Sequence, residues 1–229
     1  MLISSRSYDE YVAMFDLDES TLPSLHVLDC SAGGSSFALH ARKRGGRVVA
    51  VDPAYALGRS QLAETIADSN RDGATIAIDN ADRFTWDWYG GREQRDQMRA
   101  RALAEFVLDF GREPRGYVAA ALPKLPFADD AFDLALCSHL LFTWADQLGH
   151  SWHSAALREL ARVAREVRVF PTLLQGRGGE VPFWPALMAD LASDGHETSR
   201  DKVPYEFQVG GNTMLVLRRA TRWRSHPAR

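Results

Sequence analysis

The sequence predicts an α/β fold: a mainly parallel, doubly wound sheet that finishes in an antiparallel hairpin. Three observations carry this. An apolar run at residues 25–28 meets an acid and a small-residue loop, Asp29-Cys30-Ser31-Ala32-Gly33-Gly34-Ser35-Ser36, and a second run, Val48-Val49-Ala50-Val51, ends at another acid, Asp52. The stretch Leu134-Ala135-Leu136-Cys137 is apolar on both faces, as in a parallel strand covered by helices on each side. Near the C-terminus Tyr205-Glu206-Phe207-Gln208-Val209 alternates, Gly210-Gly211-Asn212 turns, and residues 213–217 run back, the pattern of a hairpin.

In chain order, Tyr8, Tyr11, Met14 and Phe15 stand three or four apart and predict a short helix with one apolar face. The first strand at 25–28 leads through the loop into a helix over about 35–44, which Gly45-Gly46 closes. Strand two is residues 47–51, and a helix over about 57–68 follows. The next strand arrives only at 117–120, a gap too long for a plain crossover. Its helical pattern from Glu93 to Phe110 makes residues 80–115 a helical insertion placed to cap the open end of the sheet. Then come strand four, a helix over 154–165, and strand five over 166–170, which Pro171 ends. Residues 1–22 form a helical lead, and 221–229 a basic tail.

A chain of 229 residues with 45% hydrophobic and 25% charged residues has the composition of a globular α/β domain. A net charge of −3 gives no support to nucleic-acid binding, and no membrane partner is expected. Two cysteines, Cys30 and Cys137, fall in or beside neighbouring strands and read as reduced structural thiols, which predicts a cytoplasmic protein. No zinc-like cluster of Cys or His is visible, so no metal is expected.

The loop and the acid about 20 residues beyond it suit a nucleoside-bearing ligand. Small residues let backbone amides come close, and a carboxylate at the tip of strand two can accept two vicinal hydroxyls. Together with the acid-rich turn Leu125-Pro126-Phe127-Ala128-Asp129-Asp130-Ala131-Phe132-Asp133-Leu134, the helix motif Leu160-Ala161-Arg162-Val163 and the terminal hairpin, these motifs resemble the class I S-adenosylmethionine-dependent methyltransferases over roughly residues 25–218. The resemblance implies a Rossmann-like, seven-stranded sheet, a methyltransferase domain over 23–220, and S-adenosyl-L-methionine as cofactor. It implies cofactor contacts from Asp29, Cys30, Ser31, Ala32 and Gly33 on the first loop, Asp52 and Pro53 after strand two, Ala121 and Leu122 after strand three, and Ser138 after strand four. Three features depart from the family. Serines stand at 31 and 35 where glycines are usual, Ala119-Ala120-Ala121-Leu122 lacks the acid that contacts adenine, and Ala164-Arg165-Glu166 replaces a Pro-Gly-Gly turn.

Each candidate also has a plain structural role. Asp52 is a ribose ligand or a turn acid before Pro53, and Asp29 orients its loop or holds the cofactor's amino end. His139, after strand four, stands where open α/β sheets bind ligands and is a candidate general base, or else a loop anchor. His153 is either a second catalytic group at the same mouth or a neighbour of a helix cap. Trp86, Trp88, Tyr89, Phe142 and Trp144 wall a substrate pocket or pack the insertion onto the body. Tyr8 and Tyr11 close the cofactor site or simply pack.

The function expected is methyl transfer to a small molecule through oxygen or nitrogen. An RNA or protein methyltransferase is the first alternative, motivated by Arg92, Arg95, Arg99 and Arg101. Their interleaving with Glu93, Asp96 and Glu105 instead predicts a solvated helix face. A non-catalytic S-adenosylmethionine-binding regulator is the second.

Overall fold

The computed structural model describes residues 2–174 and 178–220; the basic tail at 221–229 lies outside them. Among the described residues the strands are β1 (His26–Cys30), β2 (Arg47–Val51), β3 (Tyr117–Val118), β4 (Phe132–Ser138), β5 (Ala164–Phe170), β6 (His196–Lys202) and β7 (Thr213–Arg219). They form one seven-stranded sheet in the order β3-β2-β1-β4-β5-β7-β6. β1 to β5 run parallel, and β7 is antiparallel to both neighbours. The chain winds outward from β1 in both directions, which leaves a ligand crevice at the carboxyl ends of β1 and β4.

The helices are α1 (Tyr8–Phe15), α2 (Phe37–Lys43), α3 (Arg59–Asp79), α4 (Arg92–Arg112), α5 (His150–Val163) and α6 (Trp184–Ser193). Strand alternation sends Val27 and Leu136 to a core shared with Tyr11, Met14 and Phe37, and Leu28 and Cys137 to a second core against Leu157 and Leu160. α1 starts on a capping box: Ser7 Oγ accepts the Glu10 N–H, and Glu10 Oε2 accepts the Ser7 N–H at 2.7 Å. The Tyr8, Tyr11, Met14 and Phe15 face is buried, as its spacing predicts.

The acid-rich turn before β4 is clamped from α5. Arg162 donates to the carbonyls of Phe127 and Leu125 and pairs with Asp129, and Asp133 accepts the His26 N–H. Cys30 and Cys137 are free, buried, and partners in register across β1 and β4.

Several elements differ from expectation. α3 continues to Asp79 instead of ending near 68, because it packs along α4 and buries Ala77 as well as Leu62 and Ile66. β3 keeps only two residues before the chain turns at a bridge between Ala121 and Lys124. The partner of β7 is not residues 205–209 but β6, a polar, mostly exposed edge strand whose sequence, HETSRDK, carries no apolar alternation. Residues 205–209 form the connection instead and turn inward, burying Tyr205 and Phe207. α6 has no counterpart among the elements expected from the sequence.

Candidate active site

The loop after β1 is held from both sides. Ser31 and Gly33 both take positive φ, 59° and 54°. Asp52 Oδ2 accepts the Gly33 N–H at 3.1 Å, its Oδ1 accepts the Ala54 N–H at 2.9 Å, and the Tyr55 hydroxyl donates to the Gly33 carbonyl. Ser35, where the family has a glycine, has its own use: its Oγ accepts the Phe37 N–H at the start of α2. Left-handed backbone at a side-chain-bearing residue costs about 1 kcal/mol. Ser31→Gly is therefore expected to raise stability by about 1 kcal/mol in urea denaturation.

Asp29 is fully buried at the end of β1. Its Oδ1 accepts the Tyr11 hydroxyl at 2.9 Å, and its Oδ2 has no partner. Burial pushes its pKa up to about 8 against the Tyr11 hydrogen bond, and the nearby Asp52 adds to the rise. Asp52 is raised as well, by burial, with the Ala54 and Gly33 amides opposing. Tyr11 itself stacks on Phe37 with centroids 4.7 Å apart, which fixes its hydroxyl over Asp29.

The N-terminal residues 3–6 roof this loop. Ser4 and Arg6 accept the N–H groups of Gly34 and Ser36, and a Cβ at Gly33 would stand 2.8 Å from the Ser4 carbonyl oxygen. Asn70 of α3 accepts the Ser5 N–H, and the Ser5 hydroxyl donates to the Arg99 carbonyl. Pro53 and Ala121 remain exposed beside the loop, while Leu122 and Ser138 are buried. The Cys30 side chain faces the α5 side, away from Asp29.

Beyond the loop lies a buried polar network that the sequence did not disclose. Arg95 and Arg99 are only 3% and 5% exposed, so the expectation of a solvated arginine face holds for Arg92 and Arg101 alone. Positions 95, 99, 102 and 106 form one inward stripe of α4. Glu10 Oε1 accepts from Arg6 and Arg99, each at 3.1 Å, and from the Tyr89 hydroxyl at 2.6 Å. Burial works against that carboxylate, but Arg99 and Arg6, with Tyr89 and the Ser7 amide, hold its pKa down at about 2.

Next to this network is a cavity of about 90 Å³, walled by Phe84, Tyr205, Phe207 and Phe170 and reached by Arg6, Arg95, Arg99, His139 and Thr143. Of the aromatic residues expected at a pocket, Trp86, Trp88 and Tyr89 stand behind this wall, each ring within 6 Å of Tyr205 or Phe207. Phe142 is fully buried against Trp184, and Trp144 is half-buried beyond it. A larger hollow of about 480 Å³ between α1, α2 and α4 takes no residue from the strand ends.

The two histidines part company. His139, at φ 54°, lines the cavity, with Nδ1 2.8 Å from Ser138 Oγ and its N–H donated to the Phe170 carbonyl. Burial, and then the charges of Arg6 and Arg99, lower its pKa well below the ordinary imidazole value, so it is neutral at neutral pH. His153 is buried in α5 with both ring nitrogens engaged: Nε2 accepts the Phe142 N–H, and Nδ1 lies 3.0 Å from the Gly149 carbonyl. It holds the loop after β4 and does not line the cavity.

The sheet order, with its antiparallel β7 between β5 and β6, joins the loop, the acid at the tip of β2 and the acid-rich turn before β4. A methyltransferase-domain family model matches residues 93–167, the span from α4 into β5. That span is similar to a methyltransferase domain. An uncharacterized protein of Methanocaldococcus jannaschii is 28% identical over 95% of this chain and 96% of its own. Among solved structures, the chain is similar to Burkholderia thailandensis 1,6-didemethyltoxoflavin-N1-methyltransferase with bound 1,6-didemethyltoxoflavin and S-adenosylhomocysteine. The TM-score is 0.49 at 13% identity, over 89% of this chain and 76% of that one. An S-adenosylmethionine-dependent methyltransferase from Aquifex aeolicus aligns with TM-score 0.41 at 15% identity, over 91% and 90%.

Two carboxylates suit S-adenosylmethionine, the cofactor that the sequence resemblance implies, while the segment at residues 3–6 already takes the Gly34 and Ser36 amides of the loop. A buried carboxylate oxygen without a partner, Asp29 Oδ2, waits at the glycine loop for a donor such as an ammonium. Each Asp52 oxygen spends one lone pair on a backbone amide and keeps another for a hydroxyl. Among the described residues no group of three or more His, Cys, Asp or Glu is arranged to hold a metal, and no helix is long and apolar enough to cross a membrane.

Sequence reasoning missed Arg6, Glu10, Arg95, Arg99, Tyr205 and Phe207 as interior residues. Two signals were present. The three-residue spacing from Ser7 to Glu10 marks the capping box that holds Glu10, and Arg95 and Arg99 share a face with Ala102 and Phe106.

Proposed function

We propose that this protein is an S-adenosylmethionine-dependent methyltransferase that acts on a small molecule through an oxygen or nitrogen nucleophile, with His139 as general base. The observation that carries the reading is the narrow cavity beside His139, walled by Phe84, Tyr205 and Phe207, which has room for a small group. The burial of Arg95 and Arg99 also leaves only Arg92 and Arg101 of the arginine surface that motivated a nucleic-acid or protein acceptor.

In this reading Asp29 holds the cofactor's amino end and Asp52 its ribose hydroxyls. The backbone from Cys30 to Gly33 lines the methionine portion, and Pro53, Ala121 and Leu122 flank the adenine. Bound S-adenosylmethionine supplies an electrophilic methyl group, so the protein's task is to align the acceptor and receive its proton. The Ser138 hydroxyl can donate to the Met14 sulfur, 4.0 Å away, and accept Nδ1–H of His139; that tautomer leaves Nε2 with its lone pair for the acceptor proton. The insertion at 80–115 forms the cap, with Trp86, Trp88 and Tyr89 supporting its wall.

The test is to supply methyl-labelled S-adenosylmethionine with the separated small-molecule, RNA and protein fractions of a cell extract. Label in the small-molecule fraction supports the reading; label only in RNA or protein overturns it. His139→Asn is expected to lower kcat about 100-fold while binding S-adenosylhomocysteine as before. Because the His139 pKa is depressed, wild-type kcat is expected to be flat across neutral pH and to fall only below the ordinary imidazole range. An unchanged kcat in the variant would remove the general base from the mechanism.

A further inference from the structure

We propose that the cavity beside α4 binds an oxyanion, a carboxylate or phosphate group carried by the methyl acceptor, through Arg95, Arg99 and Arg6. This rests on the small-molecule reading above and names the class of that molecule.

Charge balance is the first argument. Three buried guanidinium groups reach the cavity, and the one buried carboxylate among them, Glu10, forms ion pairs with Arg6 and Arg99 and not with Arg95. Among the described residues Arg95 pairs only with Asp96, its chain neighbour, whose carboxylate is 41% exposed at the edge. The cavity side of the cluster is therefore in cationic excess.

Unspent donors are the second argument. Among the described residues, Arg95 Nε, Arg99 Nε and Thr143 Oγ1 are buried without a hydrogen-bond partner, and all three residues line this cavity. Buried polar groups in native proteins are nearly always paired, and three orphans around one space mark the place of an acceptor. The fixed fork of a guanidinium matches the paired oxygens of a carboxylate or phosphate.

Size and surroundings agree. A cavity of about 90 Å³ has room for a charged head group. The Phe207 ring lies 5.1 Å from the Arg95 guanidinium and 5.9 Å from that of Arg99, an apolar backing that strengthens an ionic contact. His139 shares the cavity, so the atom to be methylated stands close to the charged group.

S-adenosylmethionine carries a carboxylate of its own, and the experiment separates the two sources. Calorimetric titration of the protein, saturated with S-adenosylhomocysteine, uses inorganic phosphate and acetate as probes. Saturable binding of either anion is expected, weakened at least about tenfold by Arg95→Gln and about fivefold by Thr143→Val. Arg95→Lys should restore part of it, and all three variants should keep wild-type affinity for S-adenosylhomocysteine, which also reports that they fold. Failure of both anions to bind the saturated protein, or binding that only the protein free of S-adenosylhomocysteine shows, overturns the inference. The labelled-extract assay adds a second decision. Label in an electrically neutral small molecule sinks this inference and leaves the small-molecule reading standing, whereas label confined to RNA or protein sinks both.

Discussion

Glu10→Gln is expected to destabilise the protein by about 3–5 kcal/mol at pH 7, the usual cost of leaving a buried charge without its partner. The carboxylate is inaccessible to water, and its Oε1 serves Arg6, Arg99 and Tyr89 at once while Oε2 completes the cap of α1. Glutamine keeps the shape but leaves two buried guanidinium groups facing a neutral amide. For a chain of this size the loss corresponds to a fall in Tm of roughly 6–20 °C. The pH dependence gives a sharper test. Glu10 has a folded pKa of about 2 against an ordinary value of 4.5. A depressed folded pKa contributes stability that is fully present above 4.5 and is lost as pH falls toward 2; the size is about 3 kcal/mol. The gap between wild type and variant in urea denaturation should therefore be constant near neutrality and shrink steadily below pH 4.5. A gap that does not change with pH would show that Glu10 is not ionised in the fold.

Asp29→Asn is expected to act in the opposite sense on stability while harming function. The folded pKa of Asp29 is about 8 against an ordinary 3.8. A raised folded pKa contributes stability that is fully present below 3.8 and is lost as pH rises through 8. At pH 7 the folded protein must therefore keep a carboxyl group protonated that would ionise in the unfolded chain, at a cost of about 4 kcal/mol. Asparagine stays neutral at no such cost. It still accepts from Tyr11, but its amide N–H stands where Oδ2 now lacks a partner, which returns about 1–3 kcal/mol. The cofactor-free variant should gain about 2 kcal/mol at pH 7, and the gain should grow up to pH 8. The same change should weaken S-adenosylmethionine binding at least about tenfold, since a charge-assisted contact to the cofactor's amino group is lost. Wild-type binding should release a proton from Asp29, read as a dependence of the calorimetric heat on buffer ionisation enthalpy, and the variant should not show it. Stability and affinity moving together would contradict this account. Strain and buried charge held at a binding loop are a common source of such opposition.

The sequence by itself determined the frame of this protein. The loop after β1, Asp29 and Asp52 at the strand tips, the parallel core strand β4 and the clamped acid-rich turn are local patterns, set by period and spacing within a few residues. The expectation of a nucleoside-bearing cofactor was legible for the same reason, because a nucleoside site in such a sheet is built from consecutive residues at strand ends. Tertiary structure alone decided the make-up of the cavity beside His139. Arg99 reads as a surface charge until α4 carries it to Glu10, 89 residues away along the chain. Tyr205 and Phe207 read as a strand until a polar edge, β6, takes that place and turns them into a cavity wall. A charged residue in a sequence is counted with its neighbours as solvated; only when distant segments close over it does its partner, or the lack of one, become the fact that matters.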